Sequence, residues 1–153
     1  MYYAGIGSRK TPEFTLNEMT YIAEALAPRW TLRSGAAIGA DIAFELGAAT
    51  KEIFYTNHCT NDAIAHAAKY HPSWGSCKLY VRMLHGRNSM IMLGQDLDSP
   101  VDCVICYTPN GRVEGGTGQA MRIAKDMDIP IYNLYNMTAS EILNVLEDDH
   151  HHV

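Results

Sequence analysis

The stretch Val101 to Tyr107, VDCVICY, is an almost unbroken apolar run ahead of a glycine-rich segment, GRVEGGTGQAMR. A strand with one wet face alternates apolar and polar residues, whereas a strand covered on both faces reads as continuous. Such a run therefore belongs to the centre of a parallel sheet with helices above and below. The remainder of the chain repeats that theme, short apolar runs alternating with segments of helical period.

Tyr2 to Ile6 reads as a first strand, and Glu13 to about Ala27 as a helix stopped by Pro28. Its apolar face holds Leu16, Met19, Ile22, Ala23 and Leu26. Trp30 to Arg33 is a second strand, followed by a helix from Ala37 to about Ala49 expected to bury Ile42, Ala43 and Leu46. Lys51 to Tyr55 is a third strand and Asn61 to Tyr70 a helix. A long helix then covers about Cys77 to Asp96, with Leu79, Met83, Met90, Ile91 and Leu93 on its buried side. After the Val101 strand come a helix from Gly118 to Met127, a strand from Pro130 to Leu134, and a helix from Ser140 to Glu147 capped by Thr138 or Ser140. The expectation is an α/β chain, a doubly wound parallel sheet with helices on both faces, forming one domain over 1–148 with a disordered tail at 149–153.

With 153 residues, 47% hydrophobic and 19% charged, the chain suits one globular domain. A net charge of −5 and a pI of about 5.7 exclude the bulk basic field that attracts a polyanion. No apolar stretch approaches the roughly 20 residues of a membrane helix, and MYYAGIGSRK is unlike a signal peptide, so a cytoplasmic location is expected. Cys103 and Cys106 form a C-x-x-C inside a strand, where residues three apart point to opposite faces; they read as buried thiols. The terminal histidines lack the supporting shell of a real metal site, and no metal or cofactor is expected.

Ligands of a doubly wound sheet lie beyond the carboxyl ends of its strands. Three turns there are rich in hydrogen-bond donors. GSRKTP supplies Gly7, Ser8 and Arg9; SGAAIGAD supplies Ser34, Gly35 and Gly39; EGGTG supplies Gly115, Gly116, Thr117 and Gly118. Free N–H groups at helix starts favour an anion, and a phosphate is the natural guest. SGAAIGAD is not G-x-G-x-x-G, and GGTGQ lacks the lysine of a P-loop, which speaks against dinucleotide oxidoreductase and ATPase chemistry. Arg33, Arg112 and Arg122 are further candidate cations, with Arg33 equally readable as a surface charge; of the lone histidines only His85, beside Gly86 and Arg87, is tied to a motif.

Taken together, GSRKTP, TLRSGAAIGADIAFELGA, HGRNSMIM, VDCVICYTP and EGGTGQAMRIAKDMDIPIYNL resemble the SLOG superfamily. This Rossmann-like group joins the DprA/Smf DNA-processing proteins to the "lonely guy" (LOG) phosphoribohydrolases and includes small stand-alone members of phage type. The resemblance spans nearly the whole chain, with 56–75 least matched. It implies that Arg87 and Asn88, in GRN, stand where LOG enzymes carry a functional arginine, and that Gly115, Gly116 and Gly118 match that family's PGGxGTxxE glycines. Here Gln119 replaces the threonine and Arg122 the catalytic glutamate, so LOG chemistry would need another carboxylate. Glu114 and Asp41 are the candidates, with Glu45 behind them. Each has a plainer reading: Glu114 in a solvated loop, Asp41 satisfying backbone near a helix start, Glu45 on a wet face. SGAAIGAD also resembles the DprA motif SGGARGID, with Ile38 in place of its arginine.

The expected function is binding of a small nucleotide or nucleotide-derived ligand, including a signalling nucleotide that a phage protein would sequester. A LOG-like phosphoribohydrolase using Arg87, Glu114 and Asp41 is one alternative, and a DprA-like single-stranded DNA binder another. The resemblance also implies a homo-oligomer, for which the apolar helix Leu79 to Leu93 offers an interface.

Overall fold

The computed structural model describes residues 1–151, with side chains described through Glu147. The elements are β1 (Tyr2–Gly5), α1 (Glu13–Leu26), β2 (Thr31–Ser34), α2 (Ala40–Gly47), β3 (Thr50–Ile53), α3 (Asn61–Ala68), α4 (Leu79–Leu93), β4 (Cys103–Cys106), α5 (Gly115–Asp126), β5 (Ile131–Asn133) and α6 (Ala139–His151). The strands form one sheet in the order β3-β2-β1-β4-β5, every pairing parallel. Two cores lie on its faces. One gathers Met19 and Ile22 of α1, Phe44 of α2 and Ile142 of α6 against Tyr3, Leu32, Cys103 and Ile105. The other gathers Ala63 of α3, Met90 to Leu93 of α4 and Ile123 of α5 against Ala4, Val104 and Cys106. The fold is thus the Rossmann-like, doubly wound α/β architecture expected, and Cys103 and Cys106 do face opposite sides. Burial pushes both thiols up, Cys106 to about 12.

Three helices differ from expectation. In α2 the buried residues are Ala40, Asp41, Ala43 and Phe44, while Ile42 and Leu46 are exposed. The small face Ala40/Ala43/Gly47 lies against α1: a Cβ on Gly47 would stand 2.4 Å from Thr20 O, and Thr20 Oγ1 donates to Ala43 O at 2.7 Å. That close approach turns Phe44 inward and Ile42 and Leu46 outward. In α4 every residue from His85 to Leu93 is buried, whereas Leu79 and Tyr80 are exposed. Most of the helix is therefore covered by its own chain, and only its first turns, from Leu79 to Leu84, keep exposed or half-buried residues. Finally, α5 begins at Gly115, three residues earlier than expected, because the glycines themselves form its first turn.

α6 follows expectation at its start but continues to His151, past the expected end at Glu147. Thr138 Oγ1 accepts from Glu141 N–H while Glu141 Oε1 accepts from Thr138 N–H, a reciprocal capping box. The expected tail at 149–153 falls on residues whose side chains, and for 152 and 153 the backbone too, lie outside the described residues. Among the described residues no helix is long and apolar enough to cross a membrane.

Candidate functional site

β2, β1 and β4 are neighbours in the sheet, so the turns that follow them share one edge. The chain runs outward from β1 to β2 and β3, then returns through α3 and α4 to β4 on the other side of β1. The switch point falls between β1 and β4, where ligands of such sheets collect.

The turn after β1 is bound to both neighbours. Ser8 N–H donates to Tyr107 O at 3.0 Å, just past β4. A Cβ on Gly7 would lie 2.6 Å from Ala40 Cβ, so this turn also presses on the first residue of α2. The Ser8 hydroxyl oxygen accepts from Lys10 N–H, and Arg9 is exposed.

The turn after β2 is occupied from within. Ser34 Oγ donates to Gly5 O at 2.6 Å, stitching β2 to β1. Asp41 folds back so that its Oδ2 accepts from Gly35 N–H and Ala37 N–H, each at 3.2 Å. The donors that the sequence offered to an anion are here taken by a carboxylate of the same chain. Arg87 Nη1 donates to Gly35 O at 2.8 Å, so a cation and an anion clamp one glycine from two sides. A Cβ there would stand 2.2 Å from Arg87 Nη1, which leaves glycine alone compatible with the contact. Burial raises the Asp41 carboxyl above its ordinary range, opposed by Arg87 and by the two N–H bonds. Burial likewise lowers Arg87, opposed chiefly by Asp41.

The turn after β4 is different. Gly115 has φ 66°, a left-handed conformation, and nothing within 4 Å of where its Cβ would be. The first intrahelical acceptor is Glu114 O, bonded by Gly118 N–H at 2.8 Å, and no side chain caps the helix. Helical geometry leaves the N–H groups of Gly115, Gly116 and Thr117 without an intrahelical acceptor. Gly115 and Gly116 are exposed. Asn88 Nδ2 donates to Gly116 O at 3.2 Å. Arg87 and Asn88, adjacent on α4, thus grip the turns after β2 and β4 respectively, which brings residues 35 and 116 to one place. Arg87 Nε is buried with no hydrogen-bond partner.

Other expected residues are placed elsewhere. Glu114 and Arg112 are exposed, and Glu45 pairs with Lys51 at 2.9 Å on the wet side of α2. Gly39 has φ 103° and precedes α2 with open space around it. Arg33 is 3% exposed and spent on structure: it pairs with Glu52 at 2.7 Å, lies 4.2 Å over the Tyr2 ring and bonds Ser99. Arg122 donates to Tyr70 O and to Gln119 Oε1, at 2.7 and 2.9 Å. A cluster of His71, Cys77 and His85 was not foreseen. His71 sits in an aperiodic segment and Cys77 at the expected start of the long helix, so no spacing rule tied them to His85.

Comparison with protein-family models, with curated proteins and with solved structures finds no match.

Proposed function

We propose that the chain binds a small nucleotide or nucleotide-derived ligand by its phosphate, at the turn after β4 and beside α4. The observation that carries this reading is the uncapped start of α5, held by Asn88, whose neighbour along α4, Arg87, keeps an unpartnered Nε. Backbone N–H groups there and a guanidinium edge favour a phosphate, whose oxygens accept from both. The turn after β1, with Ser8 and the exposed Arg9, is tied to the same sheet edge by the bond from Ser8 N–H to Tyr107 O. Ser34, Gly35 and Asp41 act behind this surface as its rigid support.

Binding without hydrolysis fits better than the phosphoribohydrolase reading. Asp41 already accepts two N–H bonds, Glu114 is exposed, and Arg122 takes the position of the LOG glutamate. Single-stranded DNA binding is disfavoured because Arg33 and Arg122 are engaged inside the chain and the net charge is −5. The SLOG resemblance also implies self-association, and exposed Phe14, Tyr21 and Leu46 on α1 and α2 provide apolar surface for it.

A thermal-shift series with AMP, ADP-ribose and inorganic phosphate tests the reading. A ligand at 100 times its Kd should stabilise the chain by about 2.7 kcal/mol, and Arg87→Met should abolish the shift. No response to any phosphate-bearing compound would reject it. Release of free base from nucleoside monophosphates, abolished by Glu114→Gln, would instead establish the hydrolase.

A further inference from the structure

We propose that His71, Cys77 and His85 form a binding site for a divalent transition metal of the zinc type, with a fourth coordination position left to water or a small ligand. This proposal does not rest on the nucleotide reading. His71 and Cys77 belong to the irregular segment between α3 and α4, and His85 lies in the second turn of α4. One donor atom from each residue falls within 4.8 Å of the other two. Cys77 Sγ stands 3.8 Å from His71 Nδ1, close to the ~3.6 Å that Zn–S and Zn–N bond lengths give for two ligands of a tetrahedral ion. The two imidazoles are 4.5 Å apart, centroid to centroid.

The second observation concerns His85 alone. It is 7% exposed, and its Nδ1 is buried with no hydrogen-bond partner. An orphaned polar atom of that kind is uncommon and costly in a folded chain, and a metal bond would satisfy it. His71, Arg122 and Arg87 are the titratable and charged groups that face this imidazole.

Two nitrogens and a thiolate select among metals. Magnesium and calcium require oxygen ligands, while imidazole with thiolate suits zinc and its neighbours. Arg122 and Arg87 oppose a bare dication, and the Cys77 thiolate formed on binding offsets part of that charge while its proton leaves to solvent. His71 Nδ1 now accepts from Ser73 N–H at 3.0 Å; that amide is exposed, so water replaces the bond when the ring turns to a metal. The Trp74 ring, 6.1 Å from His71 and 6.3 Å from His85, walls the cluster.

Cobalt(II) titrated into the reduced full-length protein supplies the test, since a thiolate ligand produces a near-ultraviolet charge-transfer band that the terminal histidines alone do not. The expected result is a band that saturates at a single equivalent, is bleached by zinc, and is absent in Cys77→Ser. His85→Gln should weaken cobalt binding about tenfold or more. No band in the wild-type protein, or a band that survives Cys77→Ser, would overturn the proposal. Far-ultraviolet circular dichroism checks that the variants fold. If His85→Gln does not fold, Cys77→Ser decides the matter, because Cys77 is only half-buried and its thiol makes no bond shorter than 3.6 Å.

Discussion

Ser34 and Gly115 show how a residue of one kind on paper takes a different role in the fold. Ser34 reads as a hydroxyl for an anion, yet it is fully buried and donates to Gly5 O. Ser34→Ala leaves that carbonyl unpaired between two strands and should destabilise the chain by about 1–3 kcal/mol, measured by urea unfolding, with little change in ligand affinity once folding is restored. Gly115 behaves in the opposite way. Its φ of 66° disfavours any side chain, although the space around it is open. Gly115→Ala should cost about 1–2 kcal/mol of backbone strain and should weaken nucleotide binding in the same thermal-shift series, because the N–H groups of the first turn of α5 move with it. Unchanged binding in that variant would show that the turn does not face the ligand.

Among the elements, α2 and α4 explain where sequence periodicity stops being informative. α2 carries Ala40, Ile42, Ala43, Phe44 and Leu46, apolar almost all the way round, so hydrophobicity alone does not choose the buried side. Close packing chooses it, through Gly47 against Thr20 O and Phe44 against the backbone at Gly5. Phe44→Ala should therefore cost about 3–5 kcal/mol, while Leu46→Ala should be near neutral in the monomer. Equal effects of the two in urea unfolding would contradict this orientation. α4 carries Arg87 and Asn88 into the buried half of the helix, where polar residues are retained because each finds a turn to hold. The GRN motif pointed to these two residues, but it did not say that their first contacts would be with backbone carbonyls of the chain itself.

At the level of the whole molecule, stability and pH are linked through the clamp at Gly35. Burial holds Asp41 above its ordinary value of 3.8, outweighing Arg87 and the N–H bonds of Ala37 and Gly35. The folded chain therefore retains a proton that the unfolded chain has released between those two values. The contribution of Asp41 to stability is present at acid pH and is lost as pH rises through the folded value. Asp41→Asn has no such proton, so the stability of the wild type relative to this variant should fall as pH rises above 3.8. Melting temperatures of both proteins across mildly acidic pH measure it, and a difference that grows with pH would contradict the sign.

The sequence by itself determined the parallel α/β sheet, because a strand buried on both faces must be apolar throughout, as VDCVICY is, and because glycine-rich turns follow the strands that end at one edge. It also singled out Arg87, Asn88 and the glycines from 115 to 118. Only the tertiary structure decided which donors are spent internally, since hydrogen-bond partners such as Asp41 with Gly35, Ser34 with Gly5 and Arg33 with Glu52 depend on distances across elements that no local pattern encodes. The same holds for His71, Cys77 and His85: an irregular segment folding back on α4 brings them together, and chain geometry, more than residue spacing, sets where such a segment ends.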